Sequence, residues 1–195
     1  MKNPLIIGIT GGIGSGKTTM SNQLRAEGFY VYNSDLEARR LQNENQEIRQ
    51  MMISIFGSNI YNSEGLDRRA LAKIVFENRD LLSKLNEIVH PILRADFNDW
   101  VLLHQSEKIL FIESAIMLET GLSKLVDKVV LMTASEKIRI ERVIKRDALS
   151  IDDVKARMSN QLSEEAKIKL ADIIIHTDDN LPMQNKMQQL LASIQ

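Results

Sequence analysis

Apolar residues follow two spacings along this chain. Five short segments are nearly continuous: Leu5–Thr10, Phe29–Tyr32, Lys108–Glu113, Lys128–Met132 and Asp172–His176. They lack the alternation of a strand with one wet face. That pattern predicts strands covered on both sides, as in a parallel sheet. Between them the apolar positions recur at helical intervals. Thr18 to Ala26 predicts a helix directly after the first strand. Leu81 to His104 predicts a long helix in which Pro91 is a break or kink. Ser135 stands as an N-cap before a helix from Glu136 to Asp147. Leu181–Pro182 opens a last helix running to Leu191. Strand–helix alternation of this kind predicts an α/β fold, a doubly wound parallel sheet of about five strands.

Two stretches interrupt the alternation. Ser34 to Trp100 is too long for a simple crossover and contains no convincing strand. Its pattern is helical over Glu37–Arg49, over Arg68–Phe76 and again in the long helix. It predicts a helical insertion, residues 34–100, that holds a second substrate. Asp147 to Lys169 is charged and poor in aromatics, which predicts a mobile lid. The nucleotide-binding core is then residues 1–33, 101–146 and 170–195.

Composition narrows the class. The 195 residues are 44% apolar and 26% charged, ordinary for one globular α/β domain with small insertions. A net charge of -1 gives no global attraction to nucleic acid or anionic membrane, so neither is expected as a partner. The absence of Cys excludes disulfides, thiolate metal sites and a Cys nucleophile. The first apolar run stops at Gly11, too short for a signal-peptide core, and no later run could span a bilayer. A cytoplasmic location is expected.

Five of the nine glycines fall between Gly8 and Gly16. Gly11-Gly12-Ile13-Gly14-Ser15-Gly16-Lys17-Thr18 fits the phosphate-binding loop G-x-x-x-x-G-K-[ST], placed after a strand and before a helix. Glycine lets the backbone approach an anion, successive amides form a nest for phosphate oxygens, and the helix adds its positive end. Lys17 can reach the β- and γ-phosphates and Thr18 can ligate Mg²⁺. Lys17 is expected on a surface loop.

Three further features bear on the reaction. Asn33-Ser34-Asp35 closes the second strand, at the carboxyl edge where open α/β sheets bind ligands. Asp35 can orient or deprotonate an acceptor hydroxyl. It can equally cap a helix. Arg139, Arg142 and Arg146 share one helical stripe. Either they clamp a phosphoryl group or they pair with Glu136, Glu141 and Asp147 in solvent. The phosphate loop and the preceding strand favour the clamp. Glu113 ends the third strand and can stand behind Mg²⁺ or serve as a buried structural carboxylate; Glu119 competes for the same role. His90, His104 and His176 show no metal-ligand spacing, and Trp100 and Met51–Met52 read as core.

In order, these residues resemble the dephospho-coenzyme A kinase family nearly end to end. The similarity is carried by Ile9–Thr18, Asn33-Ser34-Asp35, Gly65-Leu66-Asp67-Arg68 with Leu71 and Val75-Phe76, and Leu85-Asn86 through His90-Pro91. It continues through Glu119-Thr120-Gly121-Leu122, Arg142, Arg146, Arg157, Gln161 and Ala171–Ile175. The resemblance implies a P-loop core for ATP and Mg²⁺, a helical insertion for dephospho-coenzyme A, and a lid. It also implies phosphorylation of the ribose 3′-hydroxyl. Gly12, Ile13, Gly14, Ser15, Gly16, Lys17, Thr18 and Thr19, with Arg142 and Arg146, are implied as ATP contacts. Lys17, Asp35 and Arg142 are implied as catalytic, and Asp35, Arg68 and His90 as acceptor contacts. Thr18 is implied as a Mg²⁺ ligand, with Glu113 as a second candidate. Three positions depart from the family pattern: Asn33 for its first Asp, Ala115–Leu118 for Pro-Leu-Leu-Phe, and His176-Thr177-Asp178-Asp179 for Asp-Asn-x-Gly. Another small-molecule P-loop kinase, such as a nucleoside monophosphate kinase, is the alternative. A GTPase switch would need guanine and switch motifs that the chain lacks.

Overall fold

The computed structural model describes residues 3–76, 78–179 and 181–194. The predicted core limits, 1 and 195, lie outside the described residues. In chain order the elements are β1 (Leu5–Thr10), α1 (Lys17–Ala26), β2 (Val31–Asn33), α2 (Ser34–Glu44) and α3 (Gln46–Phe56). A hairpin of β3 (Tyr61–Asn62) and β4 (Gly65–Leu66) follows, then α4 (Arg68–Phe76) and α5 (Arg79–Leu103). The chain continues with β5 (Ile109–Glu113), β6 (Lys128–Thr133), α6 (Glu136–Asp147), α7 (Ile151–Ser159), α8 (Glu164–Leu170), β7 (Ile173–His176) and α9 (Met183–Ser193). Two compact units divide it, one of residues 1–33 and 103–195, the other of residues 34–102.

The first unit is built on a five-stranded parallel sheet in the order β2-β5-β1-β6-β7. β1 is central, and its register pairs Ile9 with Glu113 on one side and Thr10 with Leu131 on the other. Asn33 also pairs with Glu113, so these strand ends lie along one edge. The sheet is covered by helices whose apolar positions fall one turn apart. Met20 and Leu24 of α1, and Met187 and Leu190 of α9, are buried with Ile7, Ile9, Phe111, Val130 and Met132. Phe29 meets Phe111 edge-on at 5.5 Å. Burying each such side chain contributes roughly 1.5–3 kcal/mol. That anchors the loop between β1 and α1 at both ends. Residues 147–169, predicted as a lid, group with this unit as α7 and α8.

The helical unit corrects three expectations. Glu37–Arg49 is not one helix: Asn45 interrupts it and its side chain accepts the Ile48 N–H at 2.9 Å, starting α3. A short side chain that competes for backbone donors favours such a cap. Residues 34–100 also contain strand, the β3–β4 hairpin, in which Tyr61 pairs with Leu66. Pro91 does not end a helix, because α5 runs through it for 25 residues. Proline forfeits one ladder bond, and buried Ile88, Val89, Leu93 and Phe97 hold the helix on either side of it. Among the described residues no helix is long and apolar enough to cross a membrane.

Candidate active site

The loop after β1 is held from inside. Ser15 donates its N–H to the Gly12 carbonyl at 3.1 Å, and Gly16 precedes the first turn of α1. Gly14 has φ +79°, and a Cβ there would lie 2.5 Å from the carbonyl oxygen of Arg139 in α6. Only glycine permits that backbone contact. Lys17 overturns the surface-loop expectation. It is the first residue of α1 and 8% exposed, and its ammonium donates to the carbonyls of Gly11 at 2.8 Å and Gly12 at 3.1 Å. A buried ammonium requires oxygen partners, and the turning loop supplies them.

At the strand ends, Thr18 donates its hydroxyl to Glu113 Oε1 at 2.7 Å, and Asn33 Nδ2 donates to Glu113 Oε2 at 3.3 Å. Glu113 is 3% exposed. The structure thus puts Glu113 on Thr18. Glu119 is elsewhere: it accepts the Leu162 N–H at 2.9 Å and lies 3.7 Å from the Lys167 ammonium.

The three arginines of α6 part company. Arg142 Nη1 donates to Thr177 Oγ1 at 2.9 Å and to the Gly14 carbonyl at 3.3 Å, while Nη2 donates to the Thr177 carbonyl at 2.6 Å. The Thr177 hydroxyl in turn donates to the Ser15 carbonyl at 3.0 Å. Arg146 faces solvent and grips Asp147 through two bonds of 2.7 and 2.8 Å. That bond raises the Arg146 pKa and holds Asp147 below its usual value. Arg139 is buried against Gly12 and faces Glu164 at 3.4 Å. A cavity of about 220 Å³ is lined by Gly14, Gly16, Lys17, Thr18, Thr19, Arg142, Val143 and Arg146. Loop, helix start and two arginines therefore face one space. Ser135 precedes α6 as predicted, but its side chain makes no cap bond; its N–H donates to Asp178 Oδ2 at 2.9 Å.

The segment after α7 is fastened to the loop. Gln161 Oε1 accepts the Ile13 N–H at 3.0 Å, and its Nε2 donates to the Ala115 carbonyl at 3.1 Å. Lys167 of α8 is 1% exposed, and burial lowers its pKa against the pull of Glu119 and Glu164. Thr133 donates its hydroxyl to Glu164. Gln161 and Thr177 carry no chemistry that their residue types announce. Only their place in an ordered family pattern, or in a departure from it, marks them in sequence.

The remaining predicted residues lie in the helical unit. Asp35 is exposed at the second residue of α2, inside the first turn and not at its cap. Arg68 opens α4 and is exposed; burial of part of the side chain, then the charge of Arg39, lowers its pKa. Asp67 beside it is engaged with the Arg69 and Ala70 N–H groups, both at 3.0 Å. Arg49 stacks 4.3 Å from the Tyr61 ring centre, and its charge and that of Arg68 both oppose the burial that raises the Tyr61 pKa. Arg39, Arg49 and Arg68 thus form a basic group that sequence spacing hid. His90 is half-buried in α5, and burial and then Arg94 lower its pKa. Among the described residues no three His, Cys, Asp or Glu side chains gather as a metal site.

The model of the family described as dephospho-CoA kinase matches residues 5–183. The dephospho-CoA kinase of Porphyromonas gingivalis is 38% identical over 192 residues, covering 98% of this chain and 93% of that one. The crystal structure of TT1252 from Thermus thermophilus superposes with a TM-score of 0.87 at 33% identity, over 100% of both chains. The dephospho-CoA kinase from Campylobacter jejuni superposes with a TM-score of 0.72 at 27% identity, over 97% of this chain and 96% of that one.

Proposed function

The chain belongs to the dephospho-CoA kinase family, and on that premise we propose that it moves the γ-phosphoryl group of ATP to the ribose 3′-hydroxyl of dephospho-coenzyme A, the last step of coenzyme A biosynthesis. The observation that carries this reading is the family match from residue 5 to residue 183, which takes in both the phosphate-loop unit and the helical unit. The loop amides and Lys17 bind the phosphates of ATP. Arg142, fixed by its fork, neutralises charge that develops on the transferred group. Asp35 orients the acceptor hydroxyl and takes its proton. Arg68, with Arg39 and Arg49 near it, favours anionic parts of the acceptor, and His90 contributes as a half-buried hydrogen-bonding group.

Mg²⁺ is part of the proposal. The Thr18 hydroxyl and the Glu113 carboxylate, 2.7 Å apart, are oxygen donors of the kind this ion takes. A site with few protein ligands also fits, because Mg²⁺ keeps waters and substrate phosphates around it. When bound, the ion supplies charge neutralisation at the phosphates. Thr18 and Glu113 would hold it, and Asn33 keeps the carboxylate turned toward Thr18. Action in the cytoplasm belongs to the same proposal.

The test is direct. Purified protein with ATP, Mg²⁺ and dephospho-coenzyme A should yield coenzyme A, with one added phosphate located on the 3′ position by mass spectrometry of the fragments. Phosphorylation of nucleoside monophosphates in its place would support the alternative, and neither product would refute both.

A further inference from the structure

Thr177 sits in a turn that belongs to none of the motifs so far given a role. It follows β7 and is 5% exposed. Its N–H donates to the Thr133 carbonyl at 2.8 Å, so its backbone is set by the end of β6. The rest of the turn is pinned as well. Lys186 of α9, 2% exposed, donates to the His176 carbonyl at 2.5 Å and pairs with Asp179 at 2.5 Å. Asp178 takes the N–H of Ser135, the residue before α6, and that bond and the pairing with Lys186 hold Asp178 and Asp179 below the usual carboxylate range. The turn is therefore a rigid block between β6, α6 and α9.

What it presents is two oxygens of one residue, side by side, to one guanidinium. Arg142 Nη1 meets the Thr177 hydroxyl and Nη2 meets the Thr177 carbonyl. A planar fork bound at two points has its orientation fixed. The same hydroxyl donates to the Ser15 carbonyl in the phosphate loop. One O–H thus ties the loop to the arginine, accepting from one and donating to the other.

We propose that Thr177 is a positioning residue for phosphoryl transfer, whose hydroxyl sets the Arg142 guanidinium and the Ser15 carbonyl of the phosphate loop in register with each other. The proposal rests on the reading of Arg142 as a phosphate-facing arginine. Valine has nearly the same shape but cannot bridge. It leaves Arg142 Nη1 without one acceptor and the Ser15 carbonyl without that donor. Serine keeps the bridge and loses the methyl. An arginine released from one point of its fork samples other rotamers, and a misplacement of about 1 Å in a site of this kind costs on the order of a hundredfold in rate.

The experiment is a cycle of Thr177→Val, Arg142→Lys and the double variant, with Thr177→Ser as rescue. kcat and KM for phosphorylation of dephospho-coenzyme A and the Kd for ATP are measured on each. Thr177→Val should lower kcat by roughly 10- to 100-fold with KM for dephospho-coenzyme A unchanged. Thr177→Ser should restore most of that loss. The double variant should be no slower than Arg142→Lys alone, because the threonine acts through the arginine. Fully multiplicative losses, or a serine variant as slow as the valine one, would overturn the proposal. A wild-type protein without phosphotransfer would instead strike the activity itself. In that event the ATP affinities decide: non-additive weakening in the same cycle upholds the positioning role, and additive or absent weakening ends it.

Discussion

Replacing Gly14 by alanine separates two costs that a glycine in a phosphate loop can carry. Gly14 and Gly28 both have left-handed φ, +79° and +89°. At Gly28, just after α1, a Cβ would meet nothing within 4 Å. At Gly14 it would meet the Arg139 carbonyl oxygen at 2.5 Å and the Arg139 carbonyl carbon and Cα at 3.0 Å, all backbone. Gly28→Ala should cost only the conformational strain, about 1–2 kcal/mol. In a chain of this size that lowers Tm by about 2–8 °C. Gly14→Ala carries the same strain and an overpacking cost of about 1–3 kcal/mol. Tm should fall by about 4–20 °C. The nearest contact is about 1 Å short of ordinary van der Waals distance, so loop and α6 must separate by nearly that much. The Gly14–Arg142 bond lies on the same boundary, and kcat should drop by roughly a hundredfold. Calorimetric melting and initial rates with ATP and dephospho-coenzyme A read both effects on one preparation. Gly28→Ala should keep kcat within about twofold of wild type. Equal losses of Tm and of kcat in the two variants would show that the close approach to α6 has no bearing on the loop.

Three further outcomes are expected. Lys17→Ala should lower kcat by about a hundredfold or more, and, because its ammonium holds two loop carbonyls, should lower Tm by about 3–12 °C; a folded variant with near-normal kcat would contradict the role given to the loop. Asp35→Asn should cut kcat by about 10²–10⁴-fold while stability changes by no more than about 1 kcal/mol from the helix dipole; wild-type turnover would return Asp35 to a structural part in α2. Hydrogen exchange on adding both substrates should slow in residues 147–160 and stay unchanged in 161–167, where Gln161 and Lys167 are already fastened; uniform slowing across 147–169 would show that the whole segment moves.

The parallel sheet was legible because each strand is apolar on both faces, and the phosphate loop because its glycines and Lys17 recur at fixed spacing. Burial of Lys17 was not legible. It depends on carbonyls turned inward by the fold of the loop, which spacing does not reveal. The single span read over Glu37–Arg49 failed because helical periodicity runs smoothly across Asn45, and only a three-residue cap bond marks the break. Of the two readings of Pro91, a break or a kink, the break is excluded, since tertiary burial on both sides outweighs one missing ladder bond. At the site, the stripe of Arg139, Arg142 and Arg146 was visible as a stripe. Of its partners only Asp147, next to Arg146 in the chain, was readable; Glu164 and Thr177 were not, because they lie 25 and 35 residues from Arg139 and Arg142. Gln161 and Thr177 are uncharged side chains that act by hydrogen bonding, and nothing in their residue type or spacing signals such a role.

The burial of Lys17 has a consequence for how nucleotide and stability are linked. An ammonium on the surface must shed its hydration shell before a phosphate can approach closely, and that loss subtracts from affinity. Lys17 is 8% exposed and already rests on the Gly11 and Gly12 carbonyls. Its water is given up when the chain folds, so the expense falls on folding and not on the encounter with ATP. Phosphate oxygens then offer a stronger partner to a cation that is already dry. The free energy gained goes to the folded state alone, because the unfolded chain has no such nest. ATP should therefore act on this protein as a folding ligand as well as a substrate, and the resistance of the chain to heat and proteolysis should track the concentration of ATP around it.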